Sequence, residues 1–293
     1  KNGFYQLWRN ERSTITNYSL MKVTIPYTPR KQQAFIHTEL DKHRFSVLCC
    51  HRRFGKTVML INHLIKECMM NKNHQPRFAY IAPTYSQAKK IAWDYLKFYT
   101  KGLPKTKYNE TELRCDFFNG SRITLLSSEN PDSIRGIYLD GVVCDEASQI
   151  SRELIDEVIR PALSDRKGWM VLCSTPKGMN NIFYDMYLKA RSEKDWFLYT
   201  AKASETGLVD KEELDAALSV MGVATYNQEF ECSFIGNVRG SIYGELITKL
   251  ENEKRIARVP YDPSYPVNTA WDLGYNDSTA ILFYQNVGHA INI

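Results

Sequence analysis

Nine consecutive residues, Cys49-Cys50-His51-Arg52-Arg53-Phe54-Gly55-Lys56-Thr57, carry the clearest chemistry in the chain. Gly-Lys-Thr between an apolar run and a helical pattern is the arrangement that cradles phosphate. The backbone N–H groups of Arg53 to Thr57 would surround a β-phosphate, and the start of a helix adds partial positive charge there. Lys56 can reach β- and γ-phosphate oxygens, and the Thr57 hydroxyl can ligate Mg²⁺. Cys50 stands where such loops usually have their first glycine, so the loop must turn without a positive φ at that point. Arg52 and Arg53 occupy positions that most such loops give to small residues.

A second candidate is the apolar run from Leu139 that ends in Asp145-Glu146. At the carboxyl edge of a parallel sheet this pair would face the phosphate loop. Asp145 would hold Mg²⁺ through water, and Glu146 would orient and deprotonate an attacking water. Alone, Asp-Glu after a strand is often a solvated helix cap. Ser174-Thr175-Pro176 closes another apolar run, where small hydroxyls can bond a γ-phosphate or a catalytic water; a plain turn before a helix gives the same pattern. Gln32 and Gln33 open a short helix, and a side-chain amide there can pair with an adenine edge or simply face solvent. Asp272, at the end of a strand with Gly274 two residues on, has the spacing of a first metal ligand in a two-metal nuclease, and equally of an ordinary β-turn.

The elements that must position these groups read as alternating strands and helices. Strands are expected at Phe45 to Leu48, Phe78 to Ala82, Val142 to Cys144, Trp169 to Cys173 and Trp196 to Lys202, with helices at Arg30 to Leu40, Val58 to Met70, Tyr85 to Thr100, Arg152 to Leu163 and Asn181 to Arg191. Asn119-Gly120 predicts a hairpin between Leu113–Phe118 and Arg122–Leu126, an antiparallel interruption of the parallel pattern. Lys101 to Lys107 reads as a basic loop, and helices from about 210 to 220 and 224 to 231 precede a Gly-spaced connector.

Length and composition admit one large core domain and part of another: 293 residues, 43% hydrophobic and 24% charged. No apolar run reaches the roughly 18 residues that a membrane helix needs. Seven cysteines without a Cys-x-x-Cys pair fit small core residues better than disulfides or zinc. The net charge of +5 permits a nucleic-acid partner without arguing for one. The chain starts at lysine and stops just after a strand-like run, which suggests a fragment.

Taken in order, these stretches resemble the large terminase subunit of tailed bacteriophages, a DNA-packaging motor and nuclease. Arg52 to Thr57 is similar to the family's deviant phosphate loop, Tyr27-Thr28-Pro29 with Gln32 to its adenine motif, and Val142 to Glu146 to its acidic strand. Ser174-Thr175-Pro176-Lys177-Gly178 is similar to its coupling motif, and Asp272-Leu273-Gly274 with Asp277 to the opening strand of its RNase H-like nuclease. The resemblance implies an α/β fold: a mostly parallel P-loop sheet of the additional-strand, catalytic-glutamate type with flanking helices. The implied order is an N-terminal arm (1–25), ATPase core (26–205), lid subdomain (206–245), linker (246–266) and the start of a nuclease domain (267–293).

It also implies ATP and Mg²⁺ at the core and Mg²⁺ or Mn²⁺ at the nuclease, whose further carboxylates would lie beyond Ile293. Arg135 matches an arginine that acts on a neighbour's ATP, and Arg52 an arginine that senses or grips phosphate. Double-stranded DNA, a small terminase subunit, a portal protein and a homo-oligomeric ring are the implied partners. The implied place is the cytoplasm of an infected bacterium and, transiently, the procapsid. Two other readings remain open on the residues: a superfamily 2 helicase, which would need a second RecA-like domain after Ser174-Thr175-Pro176, and a nucleotide-dependent assembly module without turnover, which would have little use for Glu146.

Overall fold

The computed structural model describes residues 14–16, 22–235, 259–273, 279–288 and 290–293, with Leu246, Leu250, Glu253 and Arg255 singly. Contacts divide the chain into two compact units, Lys1–Arg239 and Gly240–Ile293.

The first unit opens with two short strands, β1 (Thr14–Thr16) and β2 (Lys22–Thr24), paired antiparallel within the stretch expected to be an N-terminal arm. Helix α1 (Lys31–Leu40) leads to β3 (Phe45–Cys50) and α2 (Lys56–Met70). There follow β4 (Arg77–Ala82), a helix over 85–100, β5 (Lys107–Asn109), β6 (Arg114–Asp116), β7 (Arg122–Ser127) and β8 (Gly141–Asp145). A helix over 152–162, β9 (Trp169–Ser174), a helix Ile182–Ser192 and β10 (Trp196–Ala201) complete the sheet region. Helices Ala203–Thr206, Lys211–Met221 and Val223–Glu229 belong to the same unit.

Eight strands form one sheet in the order β10-β3-β9-β8-β4-β7-β6-β5. All neighbours from β10 to β7 are parallel, and β6 and β5 add antiparallel at one edge. One strand, β9, separates the phosphate-loop strand β3 from the acidic strand β8, which is the additional-strand arrangement. The hairpin at Asn119-Gly120 is present, with Gly120 at φ +82. Its second strand differs from expectation: β7 pairs parallel with β4 and is a full member of the sheet, so only β6 and β5 are the antiparallel extension. The end of the expected basic loop, Lys107, begins the edge strand β5; a short, lysine-bearing strand is a common way to blunt a sheet edge.

The central strands read as unbroken apolar runs because both of their faces are covered. Phe54, Met59, Leu60, Leu64, Tyr80 and Trp93 pack on one face with α2 and the 85–100 helix. Val47, Ile81, Val142, Cys144, Ile155 and Phe183 pack on the other. All seven cysteines are free and buried. At Gly141, the first residue of β8, a Cβ would lie 2.2 Å from the Trp169 ring, so the close strand-to-ring approach requires glycine.

The second unit contains an antiparallel meander of β11 (Asn268–Asp272), β12 (Ala280–Val287) and β13 (Ala290–Asn292). Gly141→Ala should lower unfolding free energy by about 1–3 kcal/mol through overpacking against Trp169, measured by denaturant titration.

Candidate functional site

The phosphate loop is built by a buried strand that stops and a helix that starts. Cys50 is buried and extended as the last residue of β3, so the missing glycine costs nothing there. The left-handed turns fall later, at Arg53 (φ +70) and Gly55 (φ +87). Two side chains from the start of α1 hold the loop's carbonyls: Arg30 Nη1 donates to Phe54 O (3.0 Å) and Gln33 Nε2 to Gly55 O (3.4 Å). On the other side His51 N donates to Ala201 O (3.0 Å) and Arg52 N to Glu229 O (2.8 Å). The buried His51 ring lies 2.6 Å from Arg52 O through Nδ1 and 2.8 Å from Thr206 Oγ1 through Nε2. Helix α2 then begins at Lys56, and its first-turn N–H groups have no partner within the helix.

Lys56 is buried, and its ammonium donates to the carbonyls of Cys50 (3.1 Å) and His51 (3.4 Å). Burial opposes its charge, but the Glu146 and Asp145 carboxylates around it act the other way, and its pKa is raised. Lysine therefore stays cationic although buried, as a phosphate site requires.

Asp145 ends β8 beside the start of α2. Its Oδ2 accepts from Thr57 Oγ1 (3.2 Å) and, in a short hydrogen bond, from the buried Tyr80 hydroxyl. Its Oδ1 accepts from Glu146 N (3.0 Å). Thr57 and Asp145 are hard oxygen donors within one hydrogen bond of each other, a donor set that fits Mg²⁺. Glu146 takes a left-handed backbone conformation (φ +48), directly after the strand. Ser174 Oγ donates to Glu146 Oε2 (3.3 Å) and lies 2.8 Å from Ser148 Oγ. Burial raises the pKa of Glu146, Asp145 and Glu229 add to that, and Lys56 and Lys177 oppose it. A carboxylate in this setting holds a proton more readily than one in water, which suits a base.

Lys56, Thr57, Asp145, Glu146 and Ser174 thus meet at the carboxyl ends of β3, β8 and β9. Register agrees: Cys49 pairs with Ser174, and Asp145 with Cys173. Thr175 and Pro176 are buried just beyond. Phe54 is fully buried beneath the loop and is a packing residue there.

Within the first unit, Arg52, Arg53, Arg135 and Gln32 turn their side chains to other partners or to the surface. Arg52 and Arg53 are exposed at the loop surface. Arg135 is exposed and turns to carboxylates of its own chain, Asp132 (2.7 Å), Glu153 (3.1 Å) and Glu157 (3.6 Å). Gln32 donates to Thr206 O (3.4 Å), while its neighbour Gln33 reaches the loop. Asp272 is the exposed last residue of β11 in the second unit, and Asp277 lies outside the described residues. In a separate group of metal-type ligands, Asp41, His63 and Glu67, both carboxylates face a cation: the Lys66 ammonium is paired with Asp41 and lies 3.7 Å from Glu67.

Sequence reasoning missed Tyr80, Arg30, Ser148, Thr206 and Glu229. Tyr80 in a buried strand reads as core, and only the spacing of β4 and β8 reveals its hydroxyl's target. Arg30 ahead of an N-terminal turn carried no signal of a loop contact.

With this geometry in hand, residues 51–248 match the family described as terminase large subunit, T4likevirus-type, N-terminal. The chain belongs to this family. It is 30% identical over 181 residues to the large terminase subunits of Thermus phage G20c and Thermus virus P23-45, matching 55% of this chain and 36% of each relative. The match therefore spans about a third of those relatives' length. Among solved structures it is similar to the large terminase ATPase domain of Thermus phage P74-26, at TM-score 0.61 and 24% identity, covering 72% of this chain and 95% of that one. It is also similar to the large terminase of another thermophilic bacteriophage, solved in complex with ADP, at TM-score 0.60 and 16% identity, covering 89% of this chain and 66% of that one. At these identities the likeness concerns the fold. Among the described residues no helix is long and apolar enough to cross a membrane.

Tyr80→Phe removes a donor from a buried carboxylate. It should cost about 1.5–3 kcal/mol of stability in the absence of nucleotide, read by denaturant titration.

Proposed function

We propose that this chain hydrolyses ATP as the motor portion of a terminase large subunit that drives double-stranded viral DNA into a procapsid. The observation that carries the reading is the convergence of Lys56, Thr57, Asp145 and Glu146 at one rim of the sheet, with Thr57 Oγ1 3.2 Å from Asp145 Oδ2. Family membership and the thermophilic-phage terminase solved with ADP support the choice of nucleotide.

In this reading the N–H groups of Arg53 to Thr57 bind the β-phosphate, and Lys56 leaves the Cys50 and His51 carbonyls for phosphate oxygens. Thr57 and Asp145 would hold Mg²⁺, which would neutralise phosphate charge. Glu146 orients a water and takes its proton as the water oxygen bonds to the γ-phosphorus. The bond from that phosphorus to the β–γ bridging oxygen breaks, leaving ADP and phosphate. Ser174 aligns Glu146 through the hydroxyl bond already in place, and Thr175 and Pro176 carry the change onward from β9. Arg52 grips phosphate from the loop surface, and Gln32 meets the adenine end.

Arg135 has no role at its own site in this scheme. Its exposed position supports action on the ATP of a neighbouring copy, in a ring assembled with the portal and small terminase subunit. Asp272, with Asp277, is assigned to a metal site of a nuclease.

Lys56→Ala should abolish nucleotide binding. Glu146→Gln should bind nucleotide normally and hydrolyse it roughly 10² to 10⁴ times more slowly; hydrolysis at the native rate would remove Glu146 as the base. Arg135→Ala should bind ATP yet turn over poorly in the assembled motor, with activity recovered in part when mixed with Glu146→Gln subunits. Unchanged turnover in the assembled motor would exclude Arg135 from catalysis.

A further inference from the structure

Helix Val223–Glu229 ends against the phosphate loop, and two groups of its last residue face in different directions. The Glu229 carbonyl accepts Arg52 N–H (2.8 Å). The Glu229 carboxylate pairs with Lys177 Nζ in a short contact, although its side chain is only 11% exposed. Lys177 follows Ser174-Thr175-Pro176 in the turn beyond β9, whereas Arg52 lies in the loop beyond β3. One residue from outside both motifs therefore bridges them. The chain beyond it is fixed as well: Ala203 N donates to Phe230 O (2.8 Å), Cys232 Sγ to Ala201 O (3.1 Å), and the Phe234 ring packs 4.7 Å from that of Tyr187. The helix end is thus held downstream by β10 and the 182–192 helix, and at Glu229 itself by Lys177 alone among side-chain ion pairs of the described residues.

We infer that Glu229 and Lys177 are positioning residues of the phosphate loop, their ion pair fixing the carbonyl that aims Arg52 at bound nucleotide. This rests on the reading of the loop as a nucleotide site. A carboxylate this deeply buried is costly to leave without its cation, so the pair has one strongly preferred geometry. The Arg52 side chain inherits that geometry through its own backbone N–H, which the Glu229 carbonyl holds.

The test is the affinity of this chain for a fluorescent N-methylanthraniloyl-ADP with Mg²⁺, in a double-mutant cycle. Glu229→Gln and Lys177→Met should each weaken binding roughly tenfold. The reversed pair, Lys177→Glu with Glu229→Lys, should recover part of the loss. In an Arg52→Ala background, Glu229→Gln should add little, because both changes act through the same residue. A role in folding alone would lower the melting temperature and add in full to Arg52→Ala. Lys177→Met, in the more exposed turn, serves if Glu229→Gln does not fold. Native affinity in a folded Lys177→Met variant, or full additivity with Arg52→Ala, would overturn the inference. A native chain that binds no nucleotide would instead overturn the ATPase reading, and this inference with it.

Discussion

The Asp145 carboxylate is the point on which the rest of the site depends. It is buried at the end of β8, and three donors from different elements converge on it: Thr57 from α2, Tyr80 from β4 and the Glu146 backbone. A buried charge must be paired or hydrogen-bonded, and each of these bonds also fixes an element. The bond to Thr57 ties the helix of the phosphate loop to the acidic strand across the intervening β9. The bond from Glu146 N holds that residue in its left-handed turn, so that its side chain meets Ser174.

Charge balance at the site follows from the same contacts. Lys56 is the buried cation, with Glu146 and Asp145 the carboxylates that favour its charge. Its ammonium is satisfied by two backbone carbonyls that belong to the loop itself. These bonds keep a buried cation from being orphaned, and in the proposed reading they are exchanged for phosphate oxygens. Backbone partners suit this exchange, because the carbonyls of Cys50 and His51 are anchored by β3 and by the bond from His51 N to Ala201 O.

What could be read from sequence was local. Gly55-Lys56-Thr57, Asp145-Glu146 and Ser174-Thr175-Pro176 each close an apolar run, and strands covered on both faces announce themselves as such runs. The insertion of β9 between β3 and β8 was legible only through family resemblance, because strand order depends on contacts far apart in sequence. The parallel pairing of β7 was hidden for the same reason: a hairpin signal at Asn119-Gly120 fixes its pairing with β6 and says nothing of its other edge. Contacts of Tyr80, Arg30, Thr206 and Glu229 join residues from separate elements and leave no periodic trace. For Arg135, Asp132 three residues before it is visible in sequence, while Glu153 and Glu157 arrive with a later helix.

A crystal structure of this chain with Mg²⁺ and ATPγS tests the central claim most directly. The account predicts nucleotide at the carboxyl ends of β3, β8 and β9, with Lys56 Nζ on its phosphate oxygens and the metal between Thr57 Oγ1 and the Asp145 carboxylate. Nucleotide bound elsewhere, or Lys56 still on the Cys50 and His51 carbonyls beside a bound triphosphate, would contradict it.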